Sequence, residues 1–197
     1  MSREDSCGYN GRVLSDGATI MALSRTSASL DRLLEALEKS GTPLDTETMT
    51  VVGQEIGKLF EVAADEVAIL ELTPSGKALR FVLPAKLRAV GEIPLTSTTA
   101  LAARTARERR ADIVNNFASS RHASVFEGVP LGRQQDEVIQ KIISAPVLQG
   151  DKVIGVAQIS RKGASLGDAG ADFTPKDLSE LQGIGSVLRR FLSLPRA

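Results

Sequence analysis

The side chains best suited to bind a small molecule lie between residues 115 and 133. His122, the only histidine of the chain, directly follows Arg121, and the two could contact an anionic ligand. A catalytic histidine needs a partner that positions it as a general base, and the sequence supplies none for His122. The residue types therefore favour a binding role over a catalytic one, and a solvated loop histidine is the plainer alternative.

The same stretch carries amides, aromatic rings and a second arginine, and from residue 116 to about 133 it shows no helical or strand pattern. Polar groups that converge on an apolar pocket are the usual composition of a small-molecule site, and long loops in compact domains often carry function. An ordinary surface loop over a filled core is the alternative. The predicted pocket residues, one of them from an earlier strand, are Phe81, Asn115, Asn116, Phe117, Arg121, His122, Phe126 and Arg133.

Other reactive chemistry finds no support in the residue pattern. Cys7 is the only cysteine, which excludes an intramolecular disulfide and a cysteine–histidine metal site. The sequence shows no nucleophile–base pair and no glycine-rich phosphate loop. We therefore predict no catalytic residue, no metal site and no enzymatic activity.

The composition is that of a globular protein with one main domain. Hydrophobic residues make up 42% of the 197 residues, and 24 basic residues balance 24 acidic ones. This balance argues against general nucleic-acid binding, which usually needs a basic excess. The sequence lacks a signal-peptide pattern and an apolar run of the roughly 18–20 residues that cross a bilayer, so we predict a cytoplasmic protein without membrane contact.

One basic segment has two interpretations. Arg104, Arg107, Arg109 and Arg110 lie close together, interrupted by Glu108. They could bind phosphate or the acidic surface of a partner. The favoured interpretation is the solvated face of a helix, with arginines near its C-terminus complementing the helix dipole.

The hydrophobic pattern predicts an α+β domain. The polar, glycine-containing composition of residues 1–17 predicts a flexible tail. Leucines that recur on one face predict an N-terminal helix within 18–41. A second helix is predicted from Thr46 to Phe60, with Asp45 as its N-cap. A third, capped by Ser97 or Thr98, should run to about Arg110. The predicted strands, which turn residues separate, are 66–72, 78–83, 111–115, 138–148 and 153–160, with a short extended piece at 93–95. This order favours an antiparallel sheet with helices mainly on one face.

A last helix is predicted after the final strand. Thr174 is its N-cap, Pro175 occupies the first helical position, and Asp177 completes a capping box. An apolar stripe follows over residues 178–191. Gly183 and Gly185 lower the helix propensity, and we expect them to permit close approach of a partner helix.

The order of these pieces resembles the GAF domain family over residues 45–192. The residues that carry the resemblance are Ser144-Ala145-Pro146-Val147-Leu148, Asp151-Lys152-Val153-Ile154-Gly155-Val156 and Phe173-Thr174-Pro175-Lys176-Asp177-Leu178. The resemblance implies a GAF/PAS-like antiparallel sheet with flanking helices, spanning residues 42–194, with the N- and C-terminal helices packed together on one face.

The family also has a motif at the final strand and helix. Lys162, Phe173 and Asp177 match the Asn-Lys…Phe…Asp-Glu signature of cyclic-nucleotide-binding GAF domains, whereas Arg161 and Leu178 replace its Asn and Glu. The match implies a structural motif in which Lys162 and Asp177 form a salt bridge. The two replacements argue against cyclic-nucleotide binding.

The resemblance implies a stand-alone sensory or regulatory domain that binds a small molecule and signals through its terminal helices to a separate protein. The location of Cys7 in the predicted tail excludes free methionine sulfoxide reduction and bilin attachment, which need cysteines inside the domain. His122 is the single candidate for a haem ligand, and the cofactor is otherwise unknown. The apolar faces of both terminal helices predict a homodimer. The alternative function is a non-catalytic interaction or dimerisation module without a ligand.

Overall fold

A computed structural model describes residues 16–119 and 137–196 of the chain, with the side chains of the first helix described from residue 28 onward. The α-helices are α1 (Asp16–Ser40), α2 (Thr46–Phe60), α3 (Leu101–Glu108), α4 (Pro175–Gly183) and α5 (Gly185–Ser193). The strands are β1 (Val67–Leu72), β2 (Ala78–Leu83), β3 (Glu92–Pro94), β4 (Asp112–Val114), β5 (Val138–Gln149) and β6 (Lys152–Gly163). The short 3-10 helices are η1 (Ala64–Glu66) and η2 (Ala85–Ala89).

The six strands form one antiparallel sheet in the order β3-β2-β1-β6-β5-β4. The long β5–β6 hairpin lies near its centre, and β1 pairs with the other side of β6. Helices cover both faces of the sheet, with the larger group on one face. This arrangement confirms the predicted α+β fold with an antiparallel sheet.

The main hydrophobic core lies on the face of the sheet that α1, α2, α4 and α5 cover. Val67 and Ile69 of β1 are fully buried there against residues of α1, α2, α4 and α5. The guanidinium group of Arg190 on α5 joins the two terminal helices, because it lies 2.7 Å from Glu38 and 3.1 Å from Asp31 of α1. The predicted packing of the terminal helices on one face is confirmed.

The opposite face of the sheet packs under α3 and η2. Leu70 of β1 and Val156 of β6 point to this side, because neighbouring residues of a strand face opposite sides of a sheet. They pack with Leu79, Phe81 and Ala103 in a second apolar cluster. This smaller layer covers only part of the face and leaves room for a cavity beside it.

Local side-chain caps appear where the sequence predicts them. Asp45 accepts a hydrogen bond from the Thr48 N–H, and α2 has the predicted bounds. Thr174 and Asp177 form the predicted capping box, with Pro175 as the first residue of α4. The sequence predicts these ends well because each depends on residues within one helical turn.

Other helix boundaries differ from the predictions. α1 begins at Asp16, inside the segment predicted as a tail, while residues 1–15 lie outside the described residues. α3 begins at Leu101, because the Ser97 hydroxyl accepts from the Ala100 N–H and closes a turn before the helix. The predicted last helix is divided at Ile184, whose backbone leaves the helical region between two glycines. A Cβ at either glycine would have no atom within 4 Å, so no described helix approaches them closely.

None of the described helices combines the length and apolarity that a bilayer crossing requires.

Two carboxyl groups on helix termini should give opposite pH dependence of stability. Burial, and secondarily the Asp177 carboxylate, raise the pKa of Glu180 on α4. A raised carboxyl pKa means that the stabilisation is present below the unfolded pKa, about 4.3, and is lost as the pH rises through the folded pKa. We expect Glu180→Gln to increase the melting temperature at pH 7 and to have little effect near pH 3, as measured by thermal unfolding.

Asp45 provides the control with the opposite sign. The hydrogen bond from the Thr48 N–H lowers the pKa of Asp45, so its contribution is present above the unfolded pKa and is lost as the pH falls through the folded pKa. Asp45→Asn keeps a good N-cap and should weaken this acid-dependent loss. A Glu180→Gln protein that is less stable at pH 7 would contradict the assignment for Glu180.

Candidate functional site

A cavity of about 90 Å³ lies on the α3 face of the sheet, next to the second apolar cluster. Its walls come from four strands, from η1, and from η2 with the proline before it, so the sheet itself forms the floor. Half of the described lining residues are apolar and half are polar. The lining residues are Asp65, Glu66, Ala68, Phe81, Pro84, Leu87, Glu137, Ile139, Ile142, Gln158, Ser160 and Lys162.

Glu66 holds one wall of this cavity together. Its side chain accepts hydrogen bonds from the Ala63 N–H at 2.9 Å and from the Lys162 N–H at 2.7 Å. The Ser160 hydroxyl donates to the Glu66 carbonyl oxygen at 3.1 Å. These bonds attach η1 to the end of β6, and they explain how a buried carboxylate is tolerated there.

Lys162 crosses the wall to Asp65. Its ammonium group lies 3.0 Å from both the backbone oxygen and a carboxylate oxygen of Asp65. The salt bridge to Asp177 expected from the sequence is not formed, because the Asp177 carboxylate accepts from the N–H and hydroxyl of Thr174 in the capping box. Both groups of the lysine pair are mostly shielded from water, with side chains 13% and 17% exposed.

A buried polar chain leads from α3 to the cavity. Gln158 donates its amide N–H to the Ser144 hydroxyl at 3.1 Å, and Ser144 lies 2.7 Å from the Thr105 hydroxyl of α3. All three residues are at most 9% exposed. The chain fixes the Gln158 amide at the cavity, because a buried hydroxyl pair restricts the orientation of the group bonded to it.

The predicted pocket residues separate into groups. Phe81 lines the cavity, and Phe117 packs with Leu101 and Ile142, the latter also a cavity residue. Asn116 is exposed. Arg121, His122, Phe126 and Arg133 lie outside the described residues, so their ligand roles remain predictions.

Asn115 is placed as an anchor between two distant segments. Its amide donates to the Phe173 carbonyl and accepts from the Phe173 N–H, both at 2.9 Å. The Phe173 ring is buried, with the Arg161 guanidinium 4.8 Å from its centroid. Both hydrogen-bonding groups of Asn115 are thus engaged with the start of the last helix, and a ligand contact by this residue remains a prediction.

Three of the four arginines of the basic segment contact other residues of the chain. Arg104 pairs with Asp112, Arg110 pairs with Glu108, and Arg107 donates to the backbone oxygens of Leu95 and Ser97. The contacts of Arg104 and Arg107 fix α3 to β4 and to the segment before the helix. The interpretation of the basic segment as a solvated helix face remains a prediction.

Several cavity residues were missed in the sequence. Gln158 and Ser160 lie two residues apart on β6 and therefore point to the same side. Polar residues on one side of an otherwise apolar strand are a pattern in the sequence that could have indicated a polar site there. Asp65 and Glu66 gave no such signal, because their role depends on contacts with residues nearly a hundred positions away.

No cluster of three or more potential metal-ligating side chains occurs among the residues that the structure describes.

Comparison with known proteins identifies the class. The GAF domain model matches residues 46–189, most of the chain, and the chain therefore belongs to the GAF domain family. GAF domains are a family of sensory and regulatory domains. No match to the chain was found among curated proteins.

Solved structures share the fold at low sequence identity. The GAF domain of an Acinetobacter phosphoenolpyruvate-protein phosphotransferase is 13% identical, with a TM-score of 0.60, covering 91% of this chain and 95% of that one. Residues 122 to 287 of a methyl-accepting chemotaxis protein are 12% identical, with a TM-score of 0.56 and coverage of 82% and 96%. The free methionine-R-sulfoxide reductase of Neisseria meningitidis, in complex with its substrate, is 15% identical, with a TM-score of 0.51 and coverage of 84% and 89%.

The Asn115 anchor leads to a stability prediction. Asn115→Ala leaves the N–H and carbonyl of Phe173 without these partners, and each unsatisfied buried group costs about 1–3 kcal/mol. We expect a loss of about 2–4 kcal/mol in the free energy of unfolding, measured by urea denaturation.

Ser119→Ala is the matched control, because it removes an exposed hydroxyl that bonds the nearby Asn116 carbonyl. We expect it to change the free energy of unfolding by less than about 0.5 kcal/mol. A loss of unfolding free energy for Asn115→Ala as small as the one expected for the control would show that the Asn115 hydrogen bonds do not stabilise the fold.

Proposed function

We propose that this GAF domain is a sensor that binds a small molecule in the cavity on the α3 face and signals through its terminal helices to a separate protein. The observation that carries the proposal is the cavity itself. It combines an apolar part around Phe81 with hydrogen-bonding groups at Gln158 and Ser160. Fixed polar groups beside apolar surface are the composition by which small-molecule sites achieve specificity.

The size of the cavity restricts the ligand. Pockets for drug-sized molecules have volumes of roughly 300–1,000 Å³, whereas this one measures about 90 Å³. The proposed ligand is therefore a compact metabolite with few heavy atoms. Arg121, His122, Phe126 and Arg133 are the further contacts that the sequence proposes for it.

A signal can reach the terminal helices through β6. Gln158 and Ser160 line the cavity, while Ala157 and Ile159 between and beside them face the core that contains α1 and α5. A ligand changes the helix arrangement only if it binds one arrangement more tightly than another. The strand that touches both layers supports this part of the proposal.

The second candidate function is a non-catalytic interaction or dimerisation module without a ligand. The packing of Leu70, Leu79, Phe81 and Val156 under α3 favours it, since much of this face is filled. Homodimerisation belongs to both candidates. Leu30 and Leu34 of α1 are already fully buried within one chain, so a dimer must use other surface.

Catalysis is not part of either candidate. One of the similar structures is a free methionine-R-sulfoxide reductase, but the single cysteine of this chain, Cys7, precedes the matched residues 46–189.

Native mass spectrometry of the freshly purified full chain tests the proposal. We expect a small added mass on the wild-type protein and its loss in Ala68→Leu, because a leucine on this cavity-lining position of β1 occupies the space. Ala36→Leu, on an exposed position of α1, is the control and should keep the added mass.

A wild-type protein without added mass, whose melting temperature also does not respond to a panel of compact metabolites, would favour the interaction module. The same spectra give the oligomeric state. A monomer would contradict homodimerisation in either candidate.

A further inference from the structure

A second cavity lies beside α2 at the edge of the sheet, on the face opposite to α3. Its volume is about 340 Å³, within the range of roughly 300–1,000 Å³ that is typical of ligand pockets. One stripe of α2, formed by Thr46, Thr50 and Gly53, faces Leu83 and the first residues of η2 across it. Asp65 and Pro84 line both cavities, so the two lie next to each other.

Gly53 keeps this second cavity open at a cost to α2. It is buried in the interior of the helix, where glycine is less favourable than alanine because it loses more backbone freedom on folding. A Cβ at this position would meet Leu83 at 3.7 Å and Ala64 at 3.8 Å, which are ordinary contacts. Sterics therefore do not require glycine here, and any side chain would project among the residues that line the cavity.

Gly57, one turn later, shows the contrast. A Cβ there would lie 2.6 Å from the Val62 carbonyl oxygen, a distance that no side chain tolerates. The fold itself requires Gly57. It does not require Gly53, whose absent side chain leaves the second cavity free.

The polar groups at the rim indicate the chemistry of an occupant. The Lys86 side chain is exposed and forms no ion pair with any residue that the structure describes, whereas Asp65 is held by Lys162. Thr46 also lines this cavity and brings a hydroxyl that can donate, and Leu83 and Ala64 are among the apolar lining residues. The unbalanced charge that a ligand would meet is thus positive, and the surface beneath it is apolar.

We propose that the second cavity is a separate binding site for a compact apolar molecule that carries one carboxylate. The apolar part lies against Leu83 and over Gly53, and the carboxylate contacts Lys86 and Thr46. This site is distinct from the cavity on the α3 face, and it does not depend on the sensor function proposed for that cavity.

A titration of the ¹⁵N-labelled full chain with sodium hexanoate, followed by NMR, tests the site. We expect saturable shifts at Thr50, Gly53, Ala64 and Ala85, with a dissociation constant in the millimolar range. Gly53→Leu should abolish them by filling the cavity. Lys86→Gln should weaken binding about two- to fivefold, the effect expected for an exposed charge contact, and hexanamide should bind the wild type more weakly than hexanoate.

Three outcomes would overturn the proposal. The shifts could fail to saturate, they could map to Gln158 and Ser160 on the other face, or hexanamide could bind as well as hexanoate. If Gly53→Leu does not fold, Lys86→Gln and Thr46→Val still test the proposed carboxylate contacts. Both positions are exposed, so these substitutions leave the hydrophobic core intact. Unchanged affinity in both would reject the proposed carboxylate contacts.

The two glycines give an independent prediction of stability. Gly53→Ala should raise the melting temperature by about 2–4 °C, because alanine is the better helix residue and has room. Gly57→Ala should lower it, because the backbone must move away from Val62. A lower melting temperature for Gly53→Ala, measured by calorimetry, would show that the fold requires this glycine and would remove the argument that it preserves a cavity.

Discussion

The pairing of β5 with β6 is the interaction on which the rest of the structure depends. β6 also pairs with β1, and β5 with β4, so this hairpin joins the two halves of the sheet. The central residues of both strands are buried on both faces, and a polar side chain there is tolerated only if it finds a partner inside the protein. Ser144 bonds Gln158 and lies beside Thr105, and Lys141 reaches the Gly170 carbonyl and Asp172. The Lys141 contacts attach the loop before α4 to the sheet, and the Ser144–Thr105 contact attaches α3 on the other side.

The sequence predicts those parts of the fold that depend on neighbouring residues. The N-cap of α2 and the capping box of α4 follow from side chains three positions apart, and the strand pairs of the last hairpin follow from a short turn. The fold explains the glycine in the Val153-Ile154-Gly155-Val156 strand. A Cβ at Gly155 would lie 2.3 Å from the Leu70 carbonyl oxygen. A resemblance in the sequence marked this glycine, and the close approach of β1 shows why a side chain does not fit there.

The candidate site could be predicted only in part, because its polar wall depends on distant contacts. Phe81, an aromatic residue on a predicted strand, is one of the predicted pocket residues and lines the cavity. The motif predicts that Lys162 pairs with Asp177, whereas in the structure it pairs with Asp65, almost a hundred residues earlier. The residue type of Asn115 predicts a ligand contact, whereas its hydrogen bonds to Phe173 join segments 58 positions apart. Residue type and spacing do not reveal which of several possible partners a side chain meets after the sheet has formed.

The two layers of helices give the sheet two different environments, and β6 is in contact with both. Its alternate residues point to the cavity or to the core under α1 and α5, so under the proposed function a ligand that displaces Gln158 would act on a strand whose next residues support the terminal helices. Arg190 ties α5 to α1 through Glu38 and Asp31, and these charged contacts lie at the surface, where each stabilises the pair only weakly. The packing of α1 against α5 must therefore come mainly from buried residues such as Leu34 and Phe191. A shift of β6 that reaches this buried contact would alter the terminal helices more than a change confined to the surface ion pairs.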